Sequence, residues 1–363
     1  MIEEDRRLRA ACTRTLSGHV TICPSEMMRR LAHQAESLDA SDIYGEGGAV
    51  QALEGRVREV LGKPSALFFA KGMVAQMSVL KVHSERSSSQ AVALHPQSHL
   101  DVDEFDALNR VIGLRPVRLG RHMPFAASSV TSITEPIAAI TIELPLRRAG
   151  YMLPSWHELV GIGELCRERK IAFHIDGARL WEAAAAYGVP PAAIAALADT
   201  VYVSFYKGLG GLGGAVLVGD PEIIRACKTW RTRLGGNLYT SYPLALSSLD
   251  GLNSHLPRMP TYVKRARDVA AKLNDRAPQI INCPAVMANA FHLLLVGTPD
   301  ELAVRNRAFA ERERVWLFSS FTEAPVSGRS IGEVVIGDAS DAWSPSEAAE
   351  WVYYFASADG AVC

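Results

Sequence analysis

The chain has 363 residues, of which 48% are hydrophobic and 21% are charged, and its formal net charge is −1. This composition is typical of a soluble globular protein, and the length predicts one large or two medium domains. A charge so close to neutral gives no strong field that would attract nucleic acid or an anionic membrane.

Targeting signals are not evident in the sequence. It has no run of 18 apolar residues, so we expect no transmembrane helix, and the charged start, MIEEDRRLRAACTRTL, lacks the apolar segment of a secretory signal. Cysteines occur at positions 12, 23, 166, 227, 283 and 363, without a CxxC pair. This scatter argues against a metal site or disulfide framework and predicts a reducing, cytoplasmic location.

The first elements of the chain are two helices followed by a strand and a helix. Residues 25–38 have helical spacing, with Ser25 as a plausible N-cap. A second amphipathic helix over 48–62 ends at a glycine, the residue that most readily adopts the left-handed conformation of helix ends. A short apolar strand over 65–70 and a helix over 72–86 follow.

The middle of the chain continues this alternation. Strands are predicted over 91–95, 138–144, 171–176, 200–206 and 214–219, and helices over 155–170, 178–188 and 221–236. Alternation of this kind is typical of a mostly parallel sheet covered by helices on both faces.

The pattern weakens after about residue 245. There the sequence predicts helices over 258–277 and 344–357 and strands over 291–297 and 332–338. We therefore predict an α/β fold with an N-terminal arm over 1–24, a large domain over 25–245 and a small α+β domain over 246–363.

Polar residues lie at the predicted strand ends, where parallel sheets bind ligands. His99 lies just past one strand, Asp176 ends another, and Lys207 follows a third. Gly72 lies between a strand and its helix, where backbone N–H groups could hold a phosphate. A carboxylate, a lysine and a phosphate cradle at strand ends are what pyridoxal phosphate requires.

Each residue taken alone has a plainer interpretation. Lys207 could be a solvated loop lysine, and Asp176 could be a helix cap or an ion-pair partner. The combination favours the cofactor site, in which the lysine forms a Schiff base with the aldehyde. The aspartate keeps the pyridine nitrogen protonated, so that the ring can accept electrons.

Two longer segments resemble the threonine aldolase and β-eliminating lyase family. One is HIDGARLWEAAAAYGVP with the downstream KGLGG, and the other is SDIYGEGGAVQALEGRVREVLGKPSALFFAKG. The resemblance spans roughly residues 14–240. It implies the aspartate-aminotransferase-like fold type I of pyridoxal-phosphate enzymes, usually a homodimer or homotetramer with active sites at subunit interfaces.

The resemblance implies a role for each strand-end residue. Lys207 is the Schiff-base lysine, Asp176 pairs with the pyridinium nitrogen, and Arg179 lies near the cofactor. His99 matches a histidine that stacks on the ring, although a lone histidine could be purely structural. The catalytic base would be His99, or a water held by His99 and Glu104.

The phosphate site departs from the family pattern. The backbone amides of Gly72 and Met73 match the family's phosphate loop, and Ser204 could add a hydroxyl group. The family usually has Ser or Thr beside the glycine, whereas Lys71 and Met73 flank it here. Lys71 could supply the missing phosphate contact, or it could be a solvated loop lysine.

The substrate site departs further. Ser17 matches a serine that touches the substrate carboxylate in threonine aldolases. Those enzymes also bind the carboxylate with an arginine near the C-terminus, and our alignment places Glu333 there. A carboxylate repels a carboxylate, so another arginine must substitute or the substrate differs. The candidate arginines are Arg147, Arg179, Arg231 and Arg233.

The predicted function is cleavage of a β-hydroxy-α-amino acid at the Cα–Cβ bond, giving glycine and an aldehyde. Another pyridoxal-phosphate reaction on the same scaffold, such as β-elimination, racemisation or transamination, is the first alternative. A non-catalytic homologue that keeps the fold is the second. We expect a small amino-acid substrate, no metal, no nucleic acid and no membrane partner.

Overall fold

The computed structural model describes residues 3–36, 38–282 and 285–357. The cysteines at positions 283 and 363 lie outside these residues, and the four described cysteines are free thiols. The chain divides into two compact units. The central unit is Pro24–Pro257, and the terminal unit combines Met1–Cys23 with Arg258–Cys363. The domain limits stated above stay predictions.

The described residues form fifteen α-helices, and none of these is both long and apolar enough to span a bilayer. They are α1 (Glu3–Ala11), α2 (Pro24–Ala35), α3 (Gly48–Leu61), α4 (Gly72–Ser87), α5 (His99–Val102), α6 (Ala107–Ile112), α7 (Ala127–Thr131), α8 (Trp156–Glu168), α9 (Leu180–Tyr187), α10 (Pro191–Ala195), α11 (Pro221–Arg233), α12 (Tyr242–His255), α13 (Met259–Asn274), α14 (Pro299–Glu313) and α15 (Pro345–Ser357). Short 3₁₀ turns cover Arg147–Ala149, Leu256–Arg258 and Asp338–Ala342.

Twelve strands occur within the same described residues. They are β1 (Arg14–Thr15), β2 (Ser65–Phe69), β3 (Ala91–Leu94), β4 (Arg115–Arg118), β5 (Ala139–Glu143), β6 (Ala172–Gly177), β7 (Thr200–Ser204), β8 (Ala215–Gly219), β9 (Ala290–Val296), β10 (Val315–Trp316), β11 (Phe321–Glu323) and β12 (Arg329–Val335).

The central unit is built on a seven-stranded sheet with the order β2-β8-β7-β6-β5-β3-β4. Every pair from β7 to β4 is parallel, whereas β8 is antiparallel to both of its neighbours. Strands β5, β7 and β8 are buried along their whole length, as expected for strands covered on both faces. The predicted α/β class with a mostly parallel sheet is confirmed.

Helix ends in the central unit follow local chemistry, with one exception. The side chain of Ser155 accepts a hydrogen bond from the Glu158 amide at 3.2 Å and starts α8, as predicted. Gly62 adopts a φ of 61° and ends α3. The prediction for Ser25 was wrong: α2 begins at Pro24, because proline suits the first turn, where its missing N–H is not needed.

The strand before Lys207 is shorter than predicted. It ends at Ser204 and not at residue 206, so Lys207 lies in the turn beyond the strand rather than directly after its last residue. Strand β4 was not predicted, since its sequence RPVR carries a proline and two arginines. Such a composition is tolerated at a sheet edge, where β4 lies.

The terminal unit contains a three-stranded antiparallel sheet with the order β11-β12-β9. Residues of β12 alternate between buried and partly exposed, so one face of this sheet packs on the core of the unit. Strand β1 pairs in parallel with β10, joining the segment before the central unit to the segment after it. Helix α14 begins with a capping box formed by Thr298 and Glu301.

Two helical glycines give a matched test of packing. A Cβ added at Gly251 in α12 would overlap the carbonyl oxygen of Leu209, whereas a Cβ at Gly55 in α3 would meet nothing within 4 Å. We expect Gly251→Ala to lower the free energy of unfolding by about 1–3 kcal/mol through overpacking. Gly55→Ala should raise it by about 0.5–1 kcal/mol through helix propensity. Urea unfolding of both variants measures this, and an equal effect at the two positions would contradict the packing described.

Candidate active site

Three neighbouring strands end side by side at the carboxyl edge of the central sheet. The pairing of β5 with β6 places Glu143 opposite Asp176, and the pairing of β6 with β7 places Asp176 opposite Tyr202. Directly paired residues on adjacent strands project from the same face of a sheet. The Asp176 side chain is fully buried there. This edge is where ligands bind in parallel α/β sheets.

The segment after β3 brings His99 to this edge. Its Nε2 lies 2.5 Å from Oδ2 of Asp176, and its Nδ1 lies 3.2 Å from Oε1 of Glu104. The backbone N–H of His99 donates to Oε2 of Glu143 at 2.9 Å. The structure therefore brings together three residues selected from the sequence and adds Glu143 to them.

The charges of this cluster follow from its contacts. Burial by itself would lower the pKa of His99, but Asp176 and Glu104 outweigh it and raise the pKa to about 10. Burial would raise the pKa of Asp176, and the facing His99 and Lys207 instead hold it below its usual range. At neutral pH the contact is therefore an ion pair between imidazolium and carboxylate.

Donor atoms of His99, Glu143 and Asp176 all lie within 4.8 Å of one another. Histidine and carboxylates at this spacing are a set that can hold a metal ion. The expected absence of a metal accordingly stays a prediction. A metal ion there would have to displace the proton that His99 carries.

Lys207 lies just after β7 in a turn that depends on glycine. A Cβ at Gly208 would overlap the carboxylate of Glu182, a residue of α9 that is only 1% exposed. Burial, and then Arg179, lower the pKa of Lys207 to about 8, although Asp176 opposes them. A substantial fraction of this amine is therefore neutral near pH 8, as nucleophilic lysines require.

The turn between β6 and α9 is held by one side chain of β6 and one of the neighbouring strand β7. Oδ1 of Asp176 accepts the Ala178 amide at 3.2 Å, and the Ser204 hydroxyl donates to the Ala178 carbonyl at 2.7 Å. That contact uses the only hydroxyl proton of Ser204, so its predicted contact with a phosphate would require the hydroxyl to rotate away from the Ala178 carbonyl. Arg179 is the N-cap of α9, with its guanidinium carbon 5.1 Å from the ring centroid of Tyr151.

The start of α4 has the features of an anion cradle. Gly72 and Met73 are its first residues, and the amides of a first helical turn lack intrahelical partners. A Cβ at Gly72 would overlap the Tyr202 hydroxyl, so only glycine fits there. Lys71 is the exposed N-cap residue and can place a cation beside the same amides.

The candidate arginines differ in their surroundings. The Arg147 amide donates to Oε1 of Glu143 at 3.1 Å, which places its backbone beside the cluster. The exposed Arg233 stacks on the Trp230 ring with a distance of 4.8 Å from its guanidinium carbon to the centroid. Arg231 is 3% exposed and donates to two backbone carbonyl oxygens, so it serves internal packing.

Ser17 and Glu333 both lie in the terminal unit. The Ser17 hydroxyl donates to the Glu333 carbonyl at 3.4 Å and accepts the Val335 amide at 3.2 Å. The Glu333 carboxylate lies 3.3 Å from Nε2 of His292 on the paired strand β9. Their predicted roles at the substrate stay predictions.

Four residues at this edge were not selected from the sequence: Glu143, Tyr151, Glu182 and Tyr202. Glu143 carried a usable signal, because it falls at the end of a predicted strand just as Asp176 does. Tyr151, Glu182 and Tyr202 are brought to this edge by packing between segments far apart in the chain. The local hydrophobic pattern contains no information about such packing.

A second polar network supports Asp176 from within the sheet. His174, two residues earlier on β6, lies 2.9 Å from Oγ1 of Thr200 and 2.7 Å from Oε1 of Gln76. His83 lies 3.0 Å from the same threonine oxygen. Burial lowers the pKa of His174 to about 3, so this network is uncharged at neutral pH and adds no competing cation beside Asp176.

Comparison with known sequences places these residues in context. The sequence model of the beta-eliminating lyase family matches residues 16–294. The chain is 27% identical over 289 residues to a probable low-specificity L-threonine aldolase 2 of Arabidopsis thaliana, covering 77% of this chain and 80% of that protein. It is 26% identical over 313 residues to the low specificity L-threonine aldolase of Escherichia coli K12, covering 81% and 89%.

Solved structures show the same relationship. A putative L-allo-threonine aldolase from Listeria monocytogenes superposes with a TM-score of 0.87 at 31% identity, covering 97% of this chain and 98% of that one. A serine palmitoyltransferase from Sphingomonas wittichii gives a TM-score of 0.70 at 12% identity, covering 96% and 88%. The second likeness shows the fold alone.

The raised pKa of His99 predicts how the pair contributes to stability. A group whose pKa rises on folding, here from 6.5 to about 10, contributes stability that is fully present below pH 6.5 and is lost as the pH rises through 10. We expect His99→Gln to lower the free energy of unfolding by about 3 kcal/mol at pH 7, because it leaves Asp176 buried without its partner. This difference in the free energy of unfolding between His99→Gln and the unsubstituted protein should shrink steadily between pH 7 and pH 10.

The control is His83→Gln. Burial lowers the pKa of His83 to about 4, so this histidine is neutral throughout pH 7–10 and its replacement should have a pH-independent effect. Urea unfolding of the cofactor-free proteins provides both measurements. A constant difference between His99→Gln and the unsubstituted protein over this range would show that the ion pair is not formed.

Proposed function

The chain belongs to the beta-eliminating lyase family, and from that premise we propose that it is a pyridoxal-phosphate-dependent lyase of the threonine-aldolase type. It cleaves the Cα–Cβ bond of a β-hydroxy-α-amino acid and releases glycine and an aldehyde. One observation carries the proposal: the fully buried Asp176 lies at the carboxyl edge of the central sheet, 2.5 Å from Nε2 of His99, and Lys207 follows the neighbouring strand β7.

The residues at the strand edge fit pyridoxal phosphate. Lys207 would hold the cofactor's aldehyde carbon, and Asp176 would hold its ring nitrogen. Gly72, Met73 and Lys71 would hold the phosphate, with Ser204 as a further contact. When bound, the cofactor supplies a sink for the electron pair left on Cα as the Cα–Cβ bond breaks.

The electrostatics of the site determine which groups hold protons. Asp176 can stay ionised although it is buried, because His99 and Lys207 oppose the effect of burial. A carboxylate in this state stabilises a proton on the ring nitrogen of a bound pyridine. The hydrogen-bonded network around His174 is neutral, so it does not neutralise the negative charge of Asp176.

His99 and Glu104 are the proposed proton carriers. In the cofactor-free chain, Asp176 holds the proton on His99, so at neutral pH the imidazolium is not available as a base. A further cation at Asp176, beside His99 and Lys207, would weaken that stabilisation and lower the pKa of His99 towards neutrality, where histidine exchanges protons efficiently. His99, or a water between it and Glu104, could then take the β-hydroxyl proton.

Arg179 is the proposed anchor for the substrate carboxylate. Its charge lowers the pKa of Lys207, so the two side chains lie near one another, and a guanidinium can bind a carboxylate through two parallel hydrogen bonds. Ser17, Arg147 and Arg233 are proposed as further contacts. Glu333 favours the alternative of a different amino-acid substrate or reaction, since it stands at our aligned position for the family's arginine.

We also propose a cytoplasmic homodimer or homotetramer with shared active sites.

Covalent trapping tests the assignment of Lys207. We expect the protein incubated with pyridoxal phosphate to absorb visible light, and borohydride reduction with peptide mapping to place the label on Lys207 because a substantial fraction of its amine is neutral near pH 8. Lys207→Arg should lose both the visible band and the label. Labelling of Lys71 in its place would refute the assignment.

Product analysis tests the reaction. With threonine, allo-threonine and phenylserine we expect glycine and the corresponding aldehyde. Asp176→Asn should retain the cofactor but lower turnover by about 100-fold or more, as when a charge-stabilising group is removed. Keto acid without glycine would favour elimination or transamination, and undiminished turnover in Asp176→Asn would reduce Asp176 to a capping residue.

A further inference from the structure

Tyr151 combines two unusual properties. Its side chain is fully buried, and its backbone φ is 63°, in the left-handed region that disfavours residues with a Cβ. Backbone outliers of this kind persist only where surrounding contacts determine them, and they concentrate at functional sites. The chemistry described above assigns this residue no role.

The loop that carries Tyr151 is held at both ends. The Tyr151 amide donates to the Arg147 carbonyl at 3.3 Å, and the Leu146 amide donates to the Met152 carbonyl at 2.9 Å. Near its tip, Nε of Arg148 donates to Oδ2 of Asp103 at 3.0 Å, which ties the loop to the segment carrying His99. These contacts fix the left-handed backbone and with it the direction of the tyrosine ring.

The ring meets a residue of the proposed active site. The guanidinium carbon of Arg179 lies 5.1 Å from the Tyr151 centroid, within the roughly 6 Å range of cation–π contacts. A long arginine side chain has many rotamers, and a rigid aromatic surface restricts both its position and the plane of its N–H donors. The ring thus limits the directions in which Arg179 can present hydrogen bonds.

We propose that Tyr151 is a positioning residue, whose ring holds the Arg179 guanidinium in the orientation that binds the substrate carboxylate. The proposal rests on the proposed function for the identity of that anion. The contact between ring and guanidinium is a property of the cofactor-free chain. A leucine at this position would keep a buried apolar side chain and the same backbone cost but would present no π face.

Steady-state kinetics provide the first test. With phenylserine or threonine as substrate, we expect Tyr151→Leu to raise KM by about threefold to tenfold, the range for loss of a partly desolvated cation–π contact. Its kcat and its affinity for pyridoxal phosphate should change by less than about twofold. Tyr151→Phe keeps the ring and should restore KM, whereas a KM increase in Tyr151→Phe equal to that in Tyr151→Leu would overturn the proposal.

A double-mutant cycle with Arg179→Gln separates positioning from general packing. In the Arg179→Gln background, Tyr151→Leu should have little further effect on KM. The same cycle on the urea midpoint of the cofactor-free protein should show that Tyr151→Leu destabilises less when Arg179 is absent. Equal shifts in both backgrounds would mean that Tyr151 acts only through packing. If no variant, nor the unsubstituted protein, cleaves any substrate, the proposed function fails, while the cycle on unfolding still decides whether the contact exists.

Discussion

The buried contact between His99 and Asp176 is the constraint on which the rest of the site depends. A carboxylate without solvent is tolerated only when a charge and hydrogen bonds compensate it, and Asp176 receives both. One of its oxygens faces His99 and the other fixes the turn that leads to Arg179. The two carboxylate oxygens of Asp176 thereby hold three segments together: the segment after β3, the end of β6 and the start of α9.

The same contact explains why uncharged histidines lie beneath it. A positive charge at position 174 would compete with His99 for the Asp176 carboxylate and would partly neutralise it from within the sheet. Thr200 and Gln76 satisfy His174 without charge, and burial keeps it neutral. Helix α4 is therefore joined to the sheet by a neutral polar network. The negative charge of Asp176 stays available to groups at the carboxyl edge of the sheet. Asp176 is charged at the carboxyl end of β6, whereas His174, two residues earlier on the same face of the strand, is neutral.

The sequence allowed the large sheet to be predicted because each buried strand is a compact apolar run with an adjacent helix. Asp176 and His99 could be found because strand ends are visible in such a pattern. The turn holding Lys207 was misplaced by two residues, since Phe205 and Tyr206 extend the apolar run beyond the last paired residue. Strand β4 and the role of Tyr151 depend on neighbours far away in the chain, and local composition cannot reveal them. Glu143 was available to the same reasoning as Asp176 and was overlooked.

The pairing of β1 with β10 has a consequence for how the protein is made. Arg14 and Thr15 are synthesised roughly 300 residues before their partners Val315 and Trp316. At about 5–20 residues per second, translation separates the two strands by roughly 15–60 s. The central unit, whose residues are contiguous in the chain, is complete before that. Strand β1 therefore stays without its partner until the whole central unit and α14 have been synthesised.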